Sequence, residues 1–109
     1  MEKTKVTIEN AEAQGYVVSL GKINLVFVKT RSSLLACGAF DVQALDAFDC
    51  PAARVKSKGG GVIVSVDELL CGEVVEVNNS ARKHRLREGM SGRDALRKFL
   101  EAENTDWCV

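Results

Sequence analysis

Over the first forty positions, apolar residues fall in short runs separated by polar or glycine-containing breaks. Tyr16-Val17-Val18-Ser19-Leu20, Ile23 to Val28 and Ser33-Leu34-Leu35-Ala36-Cys37 are rich in β-branched and aromatic residues, which predicts three strands. Gly21-Lys22 between the first two fits a two-residue type II′ hairpin with glycine leading. Thr30-Arg31-Ser32 joins the second pair, and Val6-Thr7-Ile8 can add an edge. The expected product is an antiparallel meander. In its central strand Ile23, Leu25 and Phe27 alternate with Asn24, Val26 and Val28, so both faces carry apolar side chains. A helix layer can cover one face, and a second subunit is the simplest cover for the other. On this reading a lysine at Val26 is expected to break the assembly.

The pattern then changes. Asp41 is placed to cap a helix over 42–48, with Val42, Leu45 and Phe48 on one face and Pro51 beyond its end. Ala52 to Lys56 reads as a strand running into Gly59-Gly60-Gly61 and then Val62-Ile63-Val64. Ser65 and Glu68 form a capping box over a brief helix, 66–70, that Gly72 stops. Glu73 to Val77 is a strand, and Ser80 opens a basic helix that Gly89 terminates. Ser91, with Asp94 three residues on and Ala95, Leu96, Phe99 and Leu100 behind it, caps a last helix to about Ala102. The ending 104–109 lacks a periodic pattern and is expected to dock loosely. Strands first and mixed elements later predict an α+β fold: a mainly antiparallel sheet, beginning with the β meander, and three to four short helices packed on it.

Composition narrows the classes. The 109 residues suit a single domain, 1–109, and 46% hydrophobic with 28% charged residues is an ordinary globular balance. Fifteen basic and fifteen acidic residues cancel, which argues against nucleic acid as a partner. No run approaches the ~20 apolar residues that span a bilayer, and the charged start lacks a signal-peptide core, so no membrane partner and a cytoplasmic location are expected. Cys37, Cys50, Cys71 and Cys108 are scattered without a Cys-x-x-Cys pair, and His84 is the lone imidazole. That spacing suits free thiols in a reducing compartment; no metal site and no cofactor are expected.

Three segments, Cys37-Gly38-Ala39-Phe40-Asp41, Val66-Asp67-Glu68-Leu69-Leu70 and Gly89-Met90-Ser91-Gly92-Arg93-Asp94-Ala95-Leu96, carry a family likeness. Through them the chain resembles the YunC family of uncharacterised bacterial and archaeal proteins over about residues 15–100. The resemblance implies an α/β domain whose amino-terminal β region, here residues 4–38, mediates assembly into a tetramer. The triple glycine 59–61 and the basic run 82–87 depart from the family pattern.

The candidate chemistry is sparse. Cys37 ends a strand close to the helix capped by Asp41; a helix start favours a thiolate, whereas the Asp41 carboxylate opposes it, and a small buried residue where strand meets helix explains the position better. Gly89, Ser91, Gly92 and Arg93 form a glycine-flanked turn at a helix start, able to hold a carboxylate or phosphate or simply to cap the helix. It lacks the Gly-Lys-Ser/Thr ending of a phosphate-binding loop, and Ser91 lacks a Gly-x-Ser-x-Gly elbow. Lys56-Ser57-Lys58 before the triple glycine can cradle an anion or form a solvated hairpin. Arg82, Lys83, Arg85 and Arg87 read as a solvated face, since no aromatic residues interleave them for stacking. Three function classes follow: an oligomeric module binding a small molecule or anion, with Asp41, Gly89, Ser91, Gly92 and Arg93 in its lining; an enzyme using Cys37 as nucleophile or redox thiol; and a structural adaptor without ligand.

Overall fold

One six-stranded sheet runs in chain order: β1 (Glu2–Ile8), β2 (Ala11–Leu20), β3 (Ile23–Lys29), β4 (Leu34–Ala36), β5 (Ala52–Lys56) and β6 (Glu73–Val77). The structure is a computed structural model that describes residues 2–107, with side chains as far as residue 103. Every neighbouring pair is antiparallel except β4 and β5, which are parallel. Their crossover contains α1 (Val42–Asp46); α2 (Val66–Cys71), α3 (Asn79–Arg82) and α4 (Gly92–Trp107) complete the domain. Both strand ladder and helices are those of an α+β fold.

Local chemistry sets most boundaries. Leu20 pairs with Ile23 across Gly21-Lys22, and Gly21 takes φ +63 as the leading position of a type II′ turn requires. Asp41 Oδ1 accepts from the Ala44 amide at 3.1 Å, Ser65 Oγ from Glu68 at 3.2 Å and Ser91 Oγ from Asp94 at 3.1 Å. The Glu68 carboxylate also accepts from the Ser65 hydroxyl and from the Val64 amide, one residue before the Ser65 amide that the anticipated box would use.

The sheet buries its two faces unequally. Val26, Val28, Leu35, Ala53, Val55, Val74 and Val77 point to one side and pack against Leu69 of α2 and Leu96 and Phe99 of α4. On the other side, Ala36, Ala52 and Val42 are fully buried where α1 lies over β5 and β6. Strand alternation carries that outer face on to Tyr16, Val18 and Leu20 of β2 and Ile23, Leu25 and Phe27 of β3. These six side chains remain half-buried or exposed. The Tyr16 and Phe27 rings stack at 5.1 Å, and Phe40 meets Phe27 edge-on at 5.4 Å.

Several expectations need correction. Val26 belongs to the helix-covered core and not to the free face, because the meander's register turns the Ile23, Leu25, Phe27 row outward. The amino-terminal edge is a full seven-residue strand. Helix α1 stops at Asp46, so Phe48 is 80% exposed instead of sharing a buried face with Val42 and Leu45. The basic helix is a single turn capped by Asn78, and Arg85 at φ +72 breaks what would follow. Val62 to Val64 joins no strand. The last helix continues to Trp107, through part of the ending expected to be irregular; residues 108–109 of that ending lie outside the described residues.

Candidate functional site

Cys37 sits where the β3–β4 ladder gives way to a turn. Its amide donates to the Val26 carbonyl at 3.0 Å, but its own carbonyl turns away to accept from the Phe40 amide. The Val26 amide is therefore left to meet the Cys37 sulfur, at 3.5 Å. A thiol is a weak acceptor, and this contact keeps a buried N–H from being orphaned. The turn residues Gly38 and Ala39 are exposed, and Asp41 is spent on capping α1.

Beside this turn lies a cavity of about 230 Å³. The start of β3, residues 37–39, the end of β5 and the segment through Ile63 border it, and it opens to solvent, with Ile23 47% and Val62 73% exposed. Ile23, Cys37, Val55, Val62 and Ile63 make its walls apolar, with Asn24 and Ser57 adding polar groups. Lys56 is the one charged residue in the lining. Gly60 takes φ +82, which lets the loop reverse direction, and Gly61 borders the cavity with nothing within 4 Å of where a Cβ would stand. The Asn24 amide donates to the Val64 carbonyl at 3.4 Å and ties this loop to β3.

The Gly89–Asp94 turn has a different setting. Gly89, at φ +95, donates its amide to the Val74 carbonyl at 2.8 Å, and Val74 donates back to the Met90 carbonyl at 2.8 Å. The Gly92 amide donates to the Gly72 carbonyl at 3.0 Å, and the Asp94 amide to Ser91 Oγ. Three of the amides that an anion would use are thus engaged by the protein. A Cβ on Gly92 would stand 2.3 Å from the Leu69 carbonyl oxygen, so only glycine lets α4 start against the end of α2. The Asp94 carboxylate pairs with Arg97 at 3.0 Å. Arg93 points into a separate groove of about 350 Å³ between β1 and α2, which Glu2, Lys5 and Asp67 also line. Two acids and two bases share that groove, and none of the residues lining the Cys37 cavity belongs to it.

The remaining candidates are absorbed by packing. The His84 ring stands edge-on to Phe99 at 6.3 Å, and Arg82 is ion-paired with Glu88. Among the described residues, no group of three or more His, Cys, Asp or Glu is placed to hold a metal, and no helix is long and apolar enough to cross a membrane. Two polar clusters had no strong signal in the sequence. Buried Asn78 accepts from the Ala52 and Ala81 amides and donates to the Val42 and Cys50 carbonyls. Buried Glu103 is held by the 30–33 turn. The run Thr30-Arg31-Ser32-Ser33, dense in donors, was the available hint for the second.

A mostly antiparallel sheet with one short parallel crossover and helices on both faces defines an α+β domain, with a small apolar cavity beside Cys37. Residues 36–99 match DUF1805, a domain of unknown function, and the chain belongs to that family. It is 31% identical over 98 residues to the uncharacterized protein YunC of Bacillus subtilis (strain 168), covering 90% of this chain and 96% of the relative. Its fold is similar to the crystal structure of TA1206, a protein of unknown function from Thermoplasma acidophilum. There the TM-score is 0.77 at 25% identity, over 89% of this chain and 90% of that one. The family match spans Cys37, Asp41 and the whole 89–94 turn.

Proposed function

We propose that this protein is a cytoplasmic homo-oligomer, a tetramer, that binds a small molecule in the cavity at Cys37. The cavity is the observation that carries the reading: an apolar space of about 230 Å³ with one cation in its lining. Specific sites for small ligands combine apolar walls with few, placed polar groups, and this one does so on a small scale. Assembly is supported by the outer row Tyr16, Val18, Leu20, Ile23, Leu25 and Phe27, half-buried or exposed throughout, with Phe40 against Phe27 at one end. Leu20 is 54% and Ile23 47% exposed and they face each other across the β2–β3 ladder, the kind of adjoining apolar surface that marks interaction sites. Light scattering tests the assembly: a species well above the 11.8 kDa of one chain is expected, and a monomer at micromolar concentration overturns it.

A second reading, an enzyme with Cys37 as nucleophile, is favoured by the Val26 N–H aimed at the sulfur beside the cavity. Thiol labelling separates the two. Cys71 is exposed, so the measurement uses a variant in which Cys71 and Cys108 are serine. Burial pushes the Cys50 thiol up, which makes it a slow reporter. Rapid stoichiometric labelling of Cys37 at neutral pH supports the enzyme. Slow labelling supports the binding module.

A further inference from the structure

We infer that the ligand of the Cys37 cavity is a small monocarboxylate: an apolar body of about six carbons with one anionic head group. The inference rests on the binding reading above and adds the ligand's chemistry to it.

Size comes first. An apolar cavity of about 150 Å³ takes a benzene molecule. At about 230 Å³ the space beside Cys37 has room for a tail of that order lying in a cleft open on one side, and its walls of Ile23, Val55, Val62 and Ile63 offer that tail dispersion contacts and no hydrogen bonds. Sugars and nucleotides, which need many polar partners, fit it poorly.

Charge comes second. The lining holds one cation and no Asp or Glu. That cation, Lys56, is exposed and makes no ion pair within 4.0 Å among the described residues. Glu73 faces it across the β5–β6 ladder, and Glu76 is occupied by Arg54 at 2.8 Å. An ammonium on a four-carbon stem can swing between solvent and the cavity mouth while its methylenes lie along the apolar wall. The Ser57 hydroxyl, which accepts from the Gly59 amide at 3.3 Å, keeps its proton to donate. One ammonium and one hydroxyl match a carboxylate. A phosphate, with up to two charges, would meet one ammonium here, without the arginine fork or free helix amides that commonly share such a charge.

Calorimetry with three six-carbon probes tests the inference: hexanoate, 1-hexanol and hexylammonium share a tail and differ in head group. Hexanoate is expected to bind the wild-type protein up to about fivefold more tightly than hexanol, the scale of an exposed ion pair, and hexylammonium most weakly. Lys56→Gln should bring hexanoate down to the level of hexanol. Ala39→Trp, from an exposed position on the cavity's edge, should block both without disturbing the core. Equal binding of hexanoate and hexanol, or no effect of Lys56→Gln, overturns the carboxylate assignment and leaves the cavity reading standing. Binding of none of the three, or binding indifferent to Ala39→Trp, overturns both.

Discussion

Glu103 and Thr30 lie 73 positions apart and meet inside the protein, where the Thr30 hydroxyl donates to the Glu103 carboxylate. The rest of the 30–33 turn closes around the same group. The Arg31 amide donates at 3.1 Å, the Ser32 amide and hydroxyl at 3.4 and 3.2 Å, and the Ser33 hydroxyl at 3.1 Å. Four consecutive residues thereby anchor the carboxy-terminal helix to the link between β3 and β4. Burial by itself would push this carboxyl's pKa up, but the donors, led by Thr30 and Ser33, outweigh it and hold it below 4.5.

The first prediction follows from that balance. A carboxylate whose folded pKa is depressed adds stability that is complete above the unfolded value and is lost as pH falls through the folded one. Wild-type stability should therefore decline on acidification below about pH 4.5, and Glu103→Gln should flatten that decline. At pH 7 the substitution should cost about 2 kcal/mol, because charge-assisted acceptors are lost from buried hydroxyls. Urea denaturation at pH 7 and at pH 3.5 measures both effects; identical pH profiles for the two proteins would contradict the account.

Asn78 is the second test. Its side chain makes four bonds, at 3.1 and 2.9 Å as acceptor and 2.9 Å twice as donor, joining β5, α1, the chain before Pro51 and α3. Asn78→Ala strands four backbone groups at once. A loss of about 3 kcal/mol is expected by chemical denaturation, and a loss under 1 kcal/mol would mean that water takes over the role.

The start of α4 gives a ranked pair. Ser91→Ala removes the acceptor for the Asp94 amide and should cost about 1 kcal/mol. Gly92→Ala pushes a methyl into the Leu69 carbonyl and the Leu70 backbone, so α2 and α4 must separate, at a cost of about 2–3 kcal/mol. The order of the two midpoints in urea checks the packing: Gly92→Ala must be the less stable protein.

Neighbouring residues on β3 should behave oppositely. Val26 is fully buried against the helices, so Val26→Lys buries an unpaired charge and should prevent folding. Leu25 lies on the outer row, and Leu25→Lys should leave circular dichroism unchanged while lowering the mass seen in light scattering. A folded Val26→Lys protein, or a Leu25→Lys protein of unchanged mass above the monomer, would reverse the assignment of the two faces.

Helix caps and the tight turn were legible from the chain alone, because each is settled within about four residues. Asp41, Ser65 and Ser91 reach an amide three positions on, and Gly21 has the backbone freedom its turn needs whatever lies elsewhere. Alternation in Ile23 to Val28 likewise showed that both faces of the sheet are apolar. Which face takes the helices was decided by the whole packing, since alternation is symmetric between the two sides. Tertiary structure also decided that the amides of Gly89 and Gly92 go to Val74 and Gly72, that Arg85 interrupts the basic helix, and that Cys37 borders a cavity with Lys56. The contacts of Glu103 with the 30–33 turn and of Asn78 with α1 and β5 belong to the same class. They join residues tens of positions apart, and their geometry depends on sheet register and helix placement, which only the assembled chain fixes.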